Sequence, residues 1–186
     1  MFLYAWRLFK ERYPLPIGFI NKASISAFNF YTIFFKIDID FSNIKLLGIA
    51  SSLWGLIFYA AVNLVAFLNY LRQKNKLIGM ISGLFIIGMS NFLFLTGMME
   101  RYFFPALAPM VVLMFTYPKM LIRSVIVNLI LFANIIYSFY RRGSDEIAYP
   151  FTNYNFLLMR ALSLTSVLIF FTQIRLLMLQ FIRGRS

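Results

Sequence analysis

The sequence predicts an all-α membrane protein, a polytopic bundle of about five transmembrane helices with amphipathic helices on its outer face. Three observations carry that prediction. Of 186 residues, 61% are hydrophobic and 13% charged, whereas an ordinary globular domain is roughly 45–50% apolar and about 25% charged. The apolar residues lie in long uncharged runs, which is what a hydrocarbon core selects. The net charge of +12 falls in short groups between those runs, such as Arg72, Lys74 and Lys76. Phosphate-binding surfaces gather their cations on one continuous stripe or patch, whereas clusters flanking apolar runs follow the positive-inside rule. Nucleic acid is therefore excluded as a partner, and membrane lipids are the expected surroundings.

Residues 1–43 read as an outer-face amphipathic and juxtamembrane segment, and residues 44–186 as one membrane domain. Trp6, Arg7, Lys10, Glu11 and Arg12 interrupt any signal-peptide core. In a helix, Phe2, Trp6, Phe9 and Tyr13 form an apolar stripe suited to the interface. Pro14, Pro16 and Gly18 end it. A second amphipathic stretch, 22–36, places Lys22, Ser26, Asn29 and Lys36 at helical spacing beside Phe28, Tyr31 and Phe35.

Five spans follow: about Ile44 to Leu68, Leu77 to Met98, Phe103 to Tyr117, Met120 to Tyr140, and Phe156 to Phe181. The third is short and carries Pro105 and Pro109. The loops set the orientation. Arg72, Lys74 and Lys76, then Lys119 and Arg123, then Arg183 and Arg185 recur on one side, read as cytoplasmic. Asp38, Asp40, Glu100, Asp145 and Glu146 fall on the other. That arrangement puts the N-terminus outside and the C-terminus inside, in a prokaryotic cell membrane.

Inside the spans, Gly79 with Gly83 and Ser51 with Gly55 have the small-xxx-small spacing that lets helix backbones approach. Asn63, Asn91, Asn128 and Asn134 read mainly as interhelical amide contacts. Asn91 and Asn134 lie in the outer half, just below Glu100, and are also candidates to line a site.

The chain has no Cys and no His. Disulfides are impossible, Ser–His and Cys–His catalysis is excluded, and zinc, haem and iron–sulfur sites lose their usual ligands. No cofactor and no metal are expected. Asp38 and Asp40 form a D-x-D pair, a spacing common by chance, and it is not read as a metal site.

Two constellations can carry chemistry. Thr96 to Ala106 places Glu100, Arg101 and Tyr102 at the outer end of the second span, directly before Pro105. A guanidinium grips phosphate bidentately and a carboxylate accepts sugar hydroxyls. The same pair can equally be an interfacial loop. The second, Ser24 to Tyr31, includes Ser24 and Asn29; it can equally be a Ser-capped helix start.

The run Met99-Glu100-Arg101-Tyr102-Phe103-Phe104-Pro105-Ala106 resembles the His-Glu-Arg-Tyr-x-x-Pro-Ala segment of GPI-mannosyltransferase-like proteins, multi-span glycosyltransferases of the GT-C class. Upstream, Ser24 to Tyr31 resembles their Ser-x-Asn-Ala-Tyr-Asn-Leu-Trp segment, and Asn128 to Asn134 is similar to the polar-spotted span that follows. The resemblance covers about residues 10–180. It implies transfer of a sugar, of mannosyl or hexosyl type, from a polyprenyl-phosphate donor on the outer face. Glu100 and Arg101 would then sit near the lipid phosphate or sugar, and Asn29 would shape the same cavity.

The pattern departs in three places. Met99 stands where the family has His, and Ser26 and Tyr31 replace its Asn and Trp. The outer-loop acid that such enzymes use belongs to an N-terminal half. The chain therefore reads as a C-terminal portion that works with a separate N-terminal half or partner subunit. The alternative is a non-catalytic membrane accessory or scaffold protein. A transporter is disfavoured, because neither midplane charges nor inverted repeats are present.

Overall fold

The computed structural model describes residues 27–35, 45–95, 100–143 and 156–183. Their architecture is an all-α bundle. A short helix α1 (Phe30–Phe34) precedes a hairpin of two-residue strands, β1 (Lys45–Leu46) and β2 (Ile49–Ala50). Helices α2 (Ser51–Arg72) and α3 (Lys76–Phe94) follow, then a 3-10 turn (Glu100–Phe103), α4 (Phe104–Thr116), α5 (Pro118–Gly143) and α6 (Phe156–Arg183).

Four helices are long and apolar enough to cross a membrane: α2, α3, α5 and α6. Their outward residues support that reading. Leu64 is 58% exposed, Ile122 73% and Leu157 78%, a surface that water would not tolerate over such an area. The expected third span is α4, whose 13 residues reach about 20 Å at 1.5 Å per residue. A hydrocarbon core is about 30 Å thick, so α4 is too short to cross alone, and four of the five expected spans have the length and apolarity to do so. Pro105 occupies its first turn, where the missing N–H costs nothing, while Pro109 lies inside it.

The first span starts later than the hydropathy suggests. Residues 45–50 form the hairpin instead, and its turn carries Leu47 at φ 53° and Gly48 at φ 80°. Two successive positive φ values make a tight hairpin turn and cannot open a helix. Helix α2 therefore begins at Ser51. At its other end Asn75 caps α3, its Oδ1 accepting from the backbone N–H of Leu77 and Ile78 at 3.1 and 3.3 Å.

Helix α3 is the central element, with 61% of its span buried against 22–39% for the other three. Phe85, Ile86, Met89 and Leu93 pack with Met110 and Leu113 of α4 and Phe170 of α6 in the main core. At Gly88 an added Cβ would stand 3.1 Å from the Ala106 backbone, so α3 and α4 run in close contact there. Near the opposite end of α5 and α6, buried Gln173 donates to the Ser124 hydroxyl at 3.0 Å.

The small-residue pairs behave differently from one another. A Cβ at Gly55 would overlap the Tyr31 hydroxyl and the Phe94 carbonyl, the close approach expected there. Gly83 has nothing within 4 Å of such a Cβ, and it faces an open groove. The span amides also divide. Asn63 and Asn128 donate to Tyr59 and Ser124 carbonyls, one turn back on their own helices, at 2.7 and 2.9 Å. Those two satisfy their own backbone and do not bridge helices.

Candidate functional site

One end of the bundle gathers those of the expected site residues that are described. The start of α2, the end of α3, the 3-10 turn, the end of α5 and the start of α6 meet there, and the segment 27–35 is wedged among them. Tyr31 fixes that wedge. Its hydroxyl lies 2.8 Å from the Phe94 carbonyl and 3.0 Å from that of Ser51. Phe94 belongs to the last turn of α3, whose carbonyls have no partner within the helix. Phe30 adds ring contacts to Phe58 at 5.1 Å and Phe94 at 6.0 Å, tying α1 to α2 and α3.

Asn29 is fully buried and caps α1, its Oδ1 accepting from the Tyr31 N–H at 3.1 Å. The helix start is therefore capped by an amide rather than by a serine. Asn134, also fully buried, accepts from the Phe28 N–H at 3.1 Å across 106 residues of sequence. Phe28 itself sits among Ile130, Tyr137 and Met159. Arg160, on the second turn of α6, donates from its guanidinium to the Phe34 carbonyl at 3.1 Å. Asn134 and Arg160 thus hold the two ends of the wedge.

Arg101 and Tyr102 are exposed on the 3-10 turn, with the guanidinium 5.8 Å from the centre of the Tyr102 ring. Phe103, next in sequence, is buried edge-on against Phe92 at 5.4 Å. Phe103, Phe28 and Asn134 line one cavity of about 10 Å³. The two sequence motifs, some seventy residues apart, therefore meet at this point. A cavity of that size holds about one water.

The remaining site residues fall as follows. Asn91 is half-buried on the last turns of α3, where its carbonyl accepts from the Leu95 N–H at 3.2 Å. Glu100 opens the 3-10 turn, and its side chain lies outside the described set. Ser24 lies outside the described residues, as do the amphipathic stretch 2–13 and Asp38 with Asp40. All six acidic side chains of the chain are outside that set, so the geometry assigns no general base. Among the described residues, Arg101 and Tyr102 are the exposed polar groups on the 3-10 turn, while the Asn29 and Asn134 amides are buried and engaged within the chain.

Two contributors escaped the sequence reading. Arg160 was legible, since a cation within two turns of the start of an apolar helix is expensive and marks a specific partner. In sequence Tyr31 is an aromatic flank of the amphipathic stretch and the residue in place of the family's Trp. Nothing local to it shows that its hydroxyl reaches two other helices.

No family model, no curated protein and no solved structure matches the chain.

Proposed function

We propose that the chain binds a polyprenyl-phosphate-linked sugar at this polar end and forms the lipid-sugar-binding part of a GT-C-type glycosyltransferase of mannosyl or hexosyl specificity. A separate N-terminal half or partner subunit would supply the catalytic acid. The convergence of the two motifs on the Phe28–Phe103–Asn134 junction carries this reading. The exposed Arg101 guanidinium takes two phosphate oxygens in its fork, and Tyr102 offers a ring beside it and a hydroxyl to the sugar. Asn29, Asn134 and Arg160 hold the platform on which that turn rests. The prenyl chain runs down the lipid-exposed faces of the bundle.

The same burial favours a second reading, a non-catalytic accessory or scaffold protein. Asn29 and Asn134 are fully buried and engaged within the chain, and the cavity between the motifs is about 10 Å³. A transferase assay with a polyprenyl-phosphate sugar, run on membranes holding this chain together with its partner polypeptide, separates the two. Sugar transfer that falls at least tenfold in Arg101→Ala supports the enzyme. Donor binding without turnover leaves the accessory role, and binding that ignores both Glu100→Gln and Arg101→Ala leaves a scaffold alone.

A further inference from the structure

A second feature lies at the opposite, basic end and does not depend on the reading above. Helices α2 and α3 line a groove there of about 330 Å³, bordered by Asn63, Ala66, Phe67, Tyr70, Met80, Gly83 and their neighbours. Its floor is made of small residues. A Cβ at Gly83 would meet nothing, and one at Gly79 would press on Gln73 at 3.0 Å and Tyr70 at 3.4 Å. From Tyr70 to Asn63 the groove runs about 10 Å along the helix, some two thirds of one leaflet's hydrocarbon depth of about 15 Å. It is apolar along its length and opens sideways to where lipid chains lie.

The mouth of the groove is cationic. Tyr70 and Gly79 sit against the connection that carries Arg72, Lys74 and Lys76, all three exposed. Lys76 donates to the Leu71 carbonyl at 3.1 Å, and its ammonium stands 5.2 Å from the centre of the Tyr70 ring. That places a positive charge over the groove's upper wall. Arg72 makes no hydrogen bond or ion pair among the described residues. The sequence from Lys45 to Phe94 carries basic residues and no Asp or Glu.

We propose that this groove is a binding site for one anionic glycerophospholipid, with an acyl chain against Ala66 and Gly83 and the phosphate at Arg72 and Lys74. The charge pattern selects the occupant. A zwitterionic lipid brings an ammonium group toward the same cations, which cancels much of the attraction. A helix from a second copy would bring its own basic connection to the same place and be repelled.

Native mass spectrometry of the purified full chain, exchanged into micelles containing phosphatidylglycerol or phosphatidylcholine with identical chains, tests this. The expected result is one retained phosphatidylglycerol per chain and far less phosphatidylcholine. Arg72→Gln and Lys74→Gln each lower retention about fivefold. Gly83→Leu fills the groove and abolishes retention while keeping the helical circular dichroism of the parent, because its side chain enters open space. Equal retention of the two lipids, undiminished retention in Gly83→Leu, or a dimer that Gly83→Leu disrupts without any lipid effect would overturn the proposal.

Discussion

At the scale of single residues, the polar end depends on a few side chains that each satisfy backbone groups far away in sequence. Removing the Tyr31 hydroxyl orphans the Phe94 carbonyl at the buried end of α3. An unmet buried acceptor costs about 1–3 kcal/mol, so Tyr31→Phe should lower stability by that amount in SDS titration from mixed micelles. Asn134→Ala strands the Phe28 N–H and belongs in the same range. The phenol also makes stability depend on pH. Burial raises the Tyr31 pKa above its ordinary value of 10.0. Above that pH the unfolded chain releases the proton while the folded chain keeps it, so the unfolded state binds fewer protons. The Tyr31 contribution to stability is therefore constant below about 10 and declines as pH rises beyond it. In Tyr31→Phe that alkaline decline should be shallower; an identical slope in parent and variant would remove Tyr31 from the account.

At the scale of elements, most of the bundle was legible because hydropathy and helix length are strong, local signals. The helices α3, α5 and α6 lie within a few residues of where the apolar runs place them. The start of α2 was not legible, since the hairpin that delays it is set by backbone conformation at Leu47 and Gly48. The small-xxx-small spacing marked both Gly55 and Gly83 without distinguishing them, because spacing does not reveal what stands opposite. The structure separates them. Gly55→Ala should cost about 1–3 kcal/mol through overlap with Tyr31 and Phe94. Gly83→Ala should change stability by no more than about 0.5 kcal/mol, having no neighbour to displace. The same titration measures both, and similar losses would contradict the packing described for α2.

At the scale of the molecule, the chain has two chemically distinct ends. The polar end holds the wedge 27–35, the Arg101–Tyr102 turn and Arg160. The other holds Arg72, Lys76, Lys119 and Arg123. Charge asymmetry in the loops made this partition readable from sequence, and the alternation of packed helices agrees with it. The site itself was only half readable. Glu-Arg-Tyr-x-x-Pro drew attention to Arg101 and Tyr102, but the contacts that bring Phe28 to Asn134 span 106 residues and leave no local trace. The chain has no cysteine, so single cysteines can report sidedness directly. Cysteines at positions 74 and 119 should react from one face of sealed vesicles, and one at position 102 from the other; reaction of all three from one face would refute the orientation.

Photoaffinity labelling with a diazirine-bearing polyprenyl phosphate tests the proposed donor site most directly. The account predicts adducts concentrated on residues 100–103, suppressed by unlabelled polyprenyl phosphate and lost in Arg101→Ala. Adducts spread evenly over the spans, or unaffected by competitor and by that substitution, would contradict it.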